Sequence, residues 1–214
     1  ILKKIKPTIE VVLLDDAFQH RNVSAGLNIL LTAYDQLYCD DYVLPTGNLR
    51  EPKLGAKRAH AIVVTKSPES LSQDSKSRIV QQLNILPSQE VFFSSIQYGD
   101  EIISSTSKIY INELMGIRFT LVTGIANPAP LVLHLRSLGL DFDHLEFKDH
   151  HEFSKSERGL IYSKPLVLTT EKDFSRLISE TSNKVYYLPI QLKIDRADDF
   201  EKLVNTYVKN TLSN

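Results

Sequence analysis

Two carboxylates follow an apolar run close to the start of the sequence, in Val11-Val12-Leu13-Leu14-Asp15-Asp16. Acids at the carboxyl end of a buried parallel strand sit where open α/β sheets bind ligands. Their hard oxygens suit Mg²⁺, which takes one or two protein carboxylates and keeps several waters. The same pair also serves as a plain cap for the turn that follows. The continuation Ala17-Phe18-Gln19-His20-Arg21 weighs toward chemistry, because it sets amide, imidazole and guanidinium beside the acids.

Further on, residues 44–52 read Leu-Pro-Thr-Gly-Asn-Leu-Arg-Glu-Pro. Pro and Gly mark a turn, and Pro52 suits the first turn of a helix. Arg50, in the loop, can clamp a phosphate through two parallel hydrogen bonds, a geometry lysine lacks. On the helix expected next, Arg50, Lys53 and Lys57 share a face by their spacing, although a basic face is also ordinary solvated surface. Residues 147–153 read Phe-Lys-Asp-His-His-Glu-Phe. His150 and His151 must point in different directions, and Asp149 can orient an imidazole. A structural His–Asp hydrogen bond explains the segment equally well, and a metal site there lacks further ligands at helical spacing. Two turns, residues 123–128 and 169–173, stand at strand ends and read either as ligand loops or as helix caps.

Positioning these groups takes a regular series of elements. Residues 9–14, 27–31 and 61–64 are short and apolar without polar alternation, as expected of parallel strands buried on both faces. Ser67-Pro68 opens a helix expected to reach about residue 86, and residues 91–96 follow as a strand. Residues 97–112 turn Ser/Thr-rich and read as a β-ribbon linker. A second series follows: a strand at 119–122, a helix after Asn127-Pro128 with Leu131, Leu135 and Leu138 on one face, and Gly139 as its stop. A strand at 142–147, a capping box Ser154-x-x-Glu157, a strand at 165–169, a helix from Thr170, a strand at 185–194 and a final helix complete it. The expected fold class is α/β, two units with mostly parallel sheets, divided as 1–96, 97–112 and 113–214.

The composition agrees with a folded α/β protein. Of 214 residues 42% are hydrophobic and 24% charged, enough to bury a core. A formal net charge of −1 gives no basic surplus for nucleic acid. The lone Cys39 excludes an internal disulfide and a cysteine zinc cage. No apolar run approaches the about 18 residues that span a bilayer.

In order, these segments resemble the tetraacyldisaccharide 4′-kinase family. Its pattern runs Asp-Asp-Gly-Phe-Gln-His-Arg, Leu-Pro-x-Gly-x-Leu-Arg-Glu-Pro, Gly-x-x-x-Pro, Phe-x-Asp-His-His-x-Tyr/Phe and Thr-Thr-Glu-Lys-Asp. The matching residues here are 15–21, 44–52, 124–128, 147–153 and 169–173. The resemblance implies a P-loop kinase core joined by a β-ribbon to a second α/β domain, with the active site in the cleft between them. It implies transfer of the ATP γ-phosphate to the 4′-hydroxyl of an acylated disaccharide phosphate, with ATP and Mg²⁺ as cofactors. Asp15 and Asp16 would serve the metal. Gln19, His20, Arg50 and Glu51 would line the nucleotide site, and Asp16, Asp149 and His150 would take catalytic roles, with His150 favoured over His151. Such chemistry is mostly positioning and charge neutralisation of a loose phosphoryl transition state.

Two departures stand out. Ala17 replaces a glycine, a modest local change. More important, the eight glycines contain no Gly-x-x-x-x-Gly pair, so the phosphate-cradling loop is not in this sequence. The first residue is Ile1, and only nine more precede the acid-bearing run. The sequence is therefore expected to be a fragment, inactive as it stands, whose phosphate loop and membrane-contacting region lie upstream. The expected location is cytoplasmic, peripheral to the inner membrane, with no nucleic-acid partner. The alternative is a non-catalytic nucleotide- or sugar-phosphate-binding protein of the same architecture. A Walker-type ATPase of another kind ranks last, because it leaves the Asp-His-His segment unexplained.

Overall fold

The computed structural model describes residues 11–20, 22–177 and 183–212. Three apolar runs lie side by side in parallel: β1 (Ile29–Ala33), β2 (Ala61–Thr65) and β3 (Glu90–Tyr98). With β10 (Ile190–Ile194) they form a four-stranded sheet in the order β1-β2-β3-β10. The lack of alternation in β2 has a direct cause. Ile62 and Val64 face a core with Ile79 and Leu83 of α1 (Gln73–Leu83), while Ala61 and Val63 face Phe92, Phe200 and Leu203. Both faces are covered, so both must be apolar.

The expected strand at residues 9–14 is not observed. Residues 9 and 10 lie outside the described residues, and 11–14 are irregular and exposed, with Leu13 at 90%. A strand is stabilised by its ladder, and no described residue pairs with this segment. The helix expected from Ser67 begins instead after Ser72, whose hydroxyl accepts from Ser75 N at 3.2 Å. The Ser67 hydroxyl instead turns back toward β2, donating to Val64 O at 2.9 Å. Asn84 in the left-handed region ends α1. After Pro52 there is only a 3₁₀ helix, Lys53–Arg58, on which residues four apart do not share a face. Arg50 precedes it, so the expected face of Arg50, Lys53 and Lys57 does not form.

The second sheet has six strands in the order β5-β4-β9-β8-β6-β7. These are β4 (Glu101–Ile103), β5 (Lys108–Tyr110), β6 (Phe119–Thr123), β7 (Phe142–Glu146), β8 (Val167–Thr170) and β9 (Val185–Leu188). β6 to β9 run parallel, and the β4–β5 hairpin joins antiparallel through β9. The helices are α2 (Ala129–Ser137), α3 (Lys155–Tyr162) and α4 (Glu171–Leu177). Leu131 and Leu135 of α2 are buried against β6, whereas Leu138 is the cap residue and half exposed. The outgoing connections of β6 and β8 lead to opposite sides of the sheet, which makes their carboxyl ends a switch point.

The division of the chain differs from the expected one. One unit holds residues 1–96 and 192–214, the other 97–191. The 97–112 hairpin belongs to the second sheet and is not a separate linker. The expected strand 185–194 is two strands, because Pro189 has no N–H to continue the ladder. β9 stays in the second sheet and β10 joins the first. The closing helix α5 (Ala197–Leu212) then packs on the first sheet, with Phe200 edge-on to Phe92 at 5.1 Å. Among the described residues no helix is long and apolar enough to cross a membrane.

Phe92 is fully buried beneath α5. Phe92→Ala should cost about 3–5 kcal/mol, the range for emptying an aromatic core site. Urea unfolding would show this as a lowered midpoint at constant slope, and an unchanged midpoint would show that α5 does not pack here.

Candidate functional site

In the first unit the acid-bearing segment is held by arginines. Asp16 adopts φ +47°, and its N–H donates to Asp15 Oδ1 at 3.0 Å. Arg50 Nη1 donates to Asp16 Oδ2 at 3.0 Å across 34 residues of sequence. Both side chains are exposed, so this pair orients more than it stabilises. Arg58 donates to both oxygens of Glu51, at 3.0 and 2.7 Å, and also to Phe18 O at 2.9 Å. Its guanidinium lies over the Phe18 ring, 4.7 Å from the centroid. Arg58 thereby ties the segment after the acids to the loop carrying Arg50. Gly55 lets the Glu51 carboxylate sit close, since a Cβ would lie 2.6 Å from Glu51 Cδ. Lys53 donates to Cys39 O at 2.6 Å and sits over the Tyr42 ring.

Phe18, Gln19, Arg50, Glu51 and Lys53 line a shallow cavity of about 50 Å³. That is well below the about 300 Å³ of a small-molecule pocket, so it forms a subsite only. The structure thus gathers Gln19, Arg50 and Glu51, with Asp16 tied to Arg50. His20 is exposed and does not line the cavity; Arg21 lies outside the described residues. No cluster of three or more metal-binding side chains occurs among the described residues. The remaining oxygens, Asp15 Oδ2 and Asp16 Oδ1, receive no hydrogen bond from the described residues. Two adjacent carboxylates fit Mg²⁺, which completes its shell with water and phosphate oxygens.

In the second unit the loop after β7 returns over the ends of β6 and β8. His150, at φ +59°, donates its N–H to Gly124 O at 3.2 Å and to Asp149 Oδ1 at 2.9 Å. The two histidines separate clearly. His151 Nε2 lies 3.1 Å from Glu157 Oε2 and its ring stacks on Phe147 at 4.8 Å, edge-on to Phe153. His150 is 70% exposed, with Asp149, Lys172 and Arg176 around it. Desolvation opposes the charge on Asp149, but Lys172 and His150 outweigh it and hold the carboxyl below its ordinary range. The 169–173 turn does cap its helix, with Thr170 Oγ1 accepting from Asp173 N at 3.1 Å. It also does more, because the fully buried Asp173 carboxylate accepts Gly124 N at 2.8 Å.

Arg58 and Arg176 were not among the residues marked by the sequence, and Asp173 was marked only as the last residue of the 169–173 turn. Arg58 carries no signal beyond being a basic residue after a turn, and Asp173 looks like any helix-capping acid.

A family model described as tetraacyldisaccharide-1-P 4′-kinase matches residues 1–209. The chain belongs to this family. The tetraacyldisaccharide 4′-kinase of Flavobacterium johnsoniae is 42% identical over 98% of this chain and 62% of its own length. That of Bacteroides thetaiotaomicron is 39% identical, again over 98% and 62%. The chain therefore spans about three fifths of the curated relatives it matches. The crystal structure of "apo" form LpxK from Aquifex aeolicus in complex with ATP shares the fold, with a TM-score of 0.63 and 24% identity. That likeness covers 90% of this chain and 56% of the other. The family's α/β architecture, P-loop-NTPase-like with mostly parallel sheets, is thus present here.

The capping box of α3 allows a test by acid. Glu157 accepts from Ser154 N and Oγ, at 2.7 Å each, and from His151, which lowers its pKa from 4.5 to about 2. A depressed folded pKa gives stability that is complete above the unfolded value and lost as pH falls. That contribution should fade between pH 4.5 and about 2, and Glu157→Gln should flatten this part of the stability–pH curve. A parallel curve in the variant would rule out the Ser154–His151–Glu157 link.

Proposed function

We propose that this chain forms part of an ATP-dependent kinase that phosphorylates the 4′-hydroxyl of tetraacyldisaccharide 1-phosphate. The observation carrying this reading is the family match over residues 1–209, together with the five motifs in order between Asp15 and Asp173. The 3.0 Å contact between Asp16 and Arg50 supports it, because it sets a metal-type carboxylate beside a phosphate-type guanidinium.

In this reading Asp15 and Asp16 would hold Mg²⁺, which neutralises phosphate charge when bound. Arg50, steered by Asp16, presents its remaining N–H groups to an anionic oxygen in the subsite beside Gln19. Glu51 contributes through Arg58, keeping the loop around Phe18 closed. Asp149 and His150 are assigned to binding and orienting the sugar hydroxyl. The acylated substrate would place the reaction at a membrane surface.

These 214 residues contain no Gly-x-x-x-x-Gly-Lys loop, and without it a triphosphate loses its main backbone cradle. The 214-residue polypeptide alone should therefore show no phosphotransfer from Mg-ATP to tetraacyldisaccharide 1-phosphate. Detectable turnover would overturn this. The product of the complete reading frame should make the 4′-phosphate monoester, seen by ³¹P NMR, and Asp16→Asn should lower its kcat at least about 100-fold. If the complete product binds nucleotide without turnover, the alternative of a non-catalytic binding protein replaces the kinase reading.

A further inference from the structure

Among the described residues, Asp173 is the one fully buried carboxylate, and the proposed reaction leaves it unused. Its Oδ2 accepts Gly124 N and Thr170 Oγ1, each at 2.8 Å, and its Oδ1 lies 3.4 Å from Arg176 Nη1. The fit is close, since a Cβ on Gly124 would come within 3.1 Å of Asp173 Oδ1. From this anchor two arms reach His150. Gly124 O accepts the His150 N–H at 3.2 Å, and Arg176 Nη2 lies 3.2 Å from His150 Nδ1. The backbone of His150 is in the left-handed region, a conformation that a residue with a Cβ keeps only when its surroundings impose it.

We infer that Asp173 and Arg176 are positioning residues for His150, fixing it with Nδ1 as acceptor and Nε2 carrying the proton. The step from geometry to tautomer is chemical. A guanidinium only donates and does not deprotonate, so the nitrogen facing it must present a lone pair. A neutral imidazole then has its proton on Nε2. Nε2 lies 3.6 Å from Asp149 Oδ2, and Lys172 lies 3.4 Å away with its own hydrogen bond to Asp149 Oδ1 at 3.2 Å. Both ring nitrogens therefore face a cation, and the closer contact decides: Arg176 stands 3.2 Å from Nδ1 against 3.4 Å for Lys172 and Nε2, so Nδ1 keeps its lone pair and Nε2 carries the proton. His150 accordingly presents a hydrogen-bond donor beside Asp149 and has no free lone pair to act as a base.

Buried Asp173 holds Arg176, and Arg176 in turn holds the ring. A salt link at a partly buried site directs its arginine far better than an exposed pair does, and Arg176 is 26% exposed against 0% for Asp173. The tautomer stands independently of the kinase reading. Only its use in phosphoryl transfer rests on that reading.

The test is ¹⁵N NMR on the 214-residue polypeptide with labelled histidine and arginine. The wild type should show an unprotonated Nδ1, a protonated Nε2 and a through-hydrogen-bond coupling between Arg176 Nη2 and His150 Nδ1. Arg176→Met should abolish the coupling and mix the tautomers, while Arg176→Lys should restore an acceptor Nδ1. A protonated Nδ1 in the wild type, or no coupling there, overturns the inference even if Arg176→Met fails to fold. In the complete enzyme Arg176→Met should lower kcat about 10–100-fold with KM for ATP unchanged, and Arg176→Lys should recover most of it. If the coupling is present and kcat is unaffected, the positioning role in the reaction falls. If the coupling is present and the unmodified enzyme does not turn over, only the kinase reading falls.

Discussion

A strand in this protein lasts only as long as its hydrogen-bond ladder, and that constraint places nearly everything else. β2 is bounded on both sides, by β1 and β3, and every residue of its apolar run is buried. Residues 11–14 are as apolar as β2, yet with no ladder partner among the described residues they remain irregular. Pro189 interrupts the ladder by one missing N–H, and the chain uses that break to leave one sheet and enter the other. In the second unit the carboxyl ends of the paired strands line up, and the loops after β6, β7 and β8 meet there through Gly124, His150 and Asp173.

At those edges the loops are closed by ionic clamps. Arg58 holds Glu51 and Phe18 together, and Asp173 holds Gly124, Thr170 and Arg176. The first clamp is partly exposed and works by geometry, through a two-point pairing and a stacked ring. The second is buried, so each of its oxygens must be satisfied, and it is. Asp16 and His150 are alike in exposure and in their left-handed backbone, but only His150 is joined to a buried carboxylate, through Gly124 and Arg176. Segments left exposed can take a ligand, whereas segments built on the buried carboxylate orient what meets it.

Each reactive-looking pair of neighbours divides its labour in this way. Of Asp15 and Asp16, only Asp16 reaches Arg50. Of His150 and His151, one is surrounded by charged groups and the other is packed between aromatic rings and bonded to Glu157. Adjacent residues with the same chemistry reach different surroundings because successive side chains leave the backbone in different directions.

The sequence by itself determined the family, the α/β class, the capping box at Ser154 and the segments that carry the candidate site residues. Those features are local: a motif is a run of residue types, a cap needs four positions, and a doubly buried strand shows its lack of alternation directly. Only the tertiary structure decided that the final helix returns to the first sheet, that the 97–112 hairpin belongs to the second, and that the run before Asp15 pairs with nothing described. It alone linked Arg58 to Glu51 and Phe18, and Asp173 to Gly124 across 49 residues. The physical reason is that ladders and buried ion pairs join residues far apart in the chain, and a partner at such a distance leaves no periodicity, spacing or composition for either residue to display.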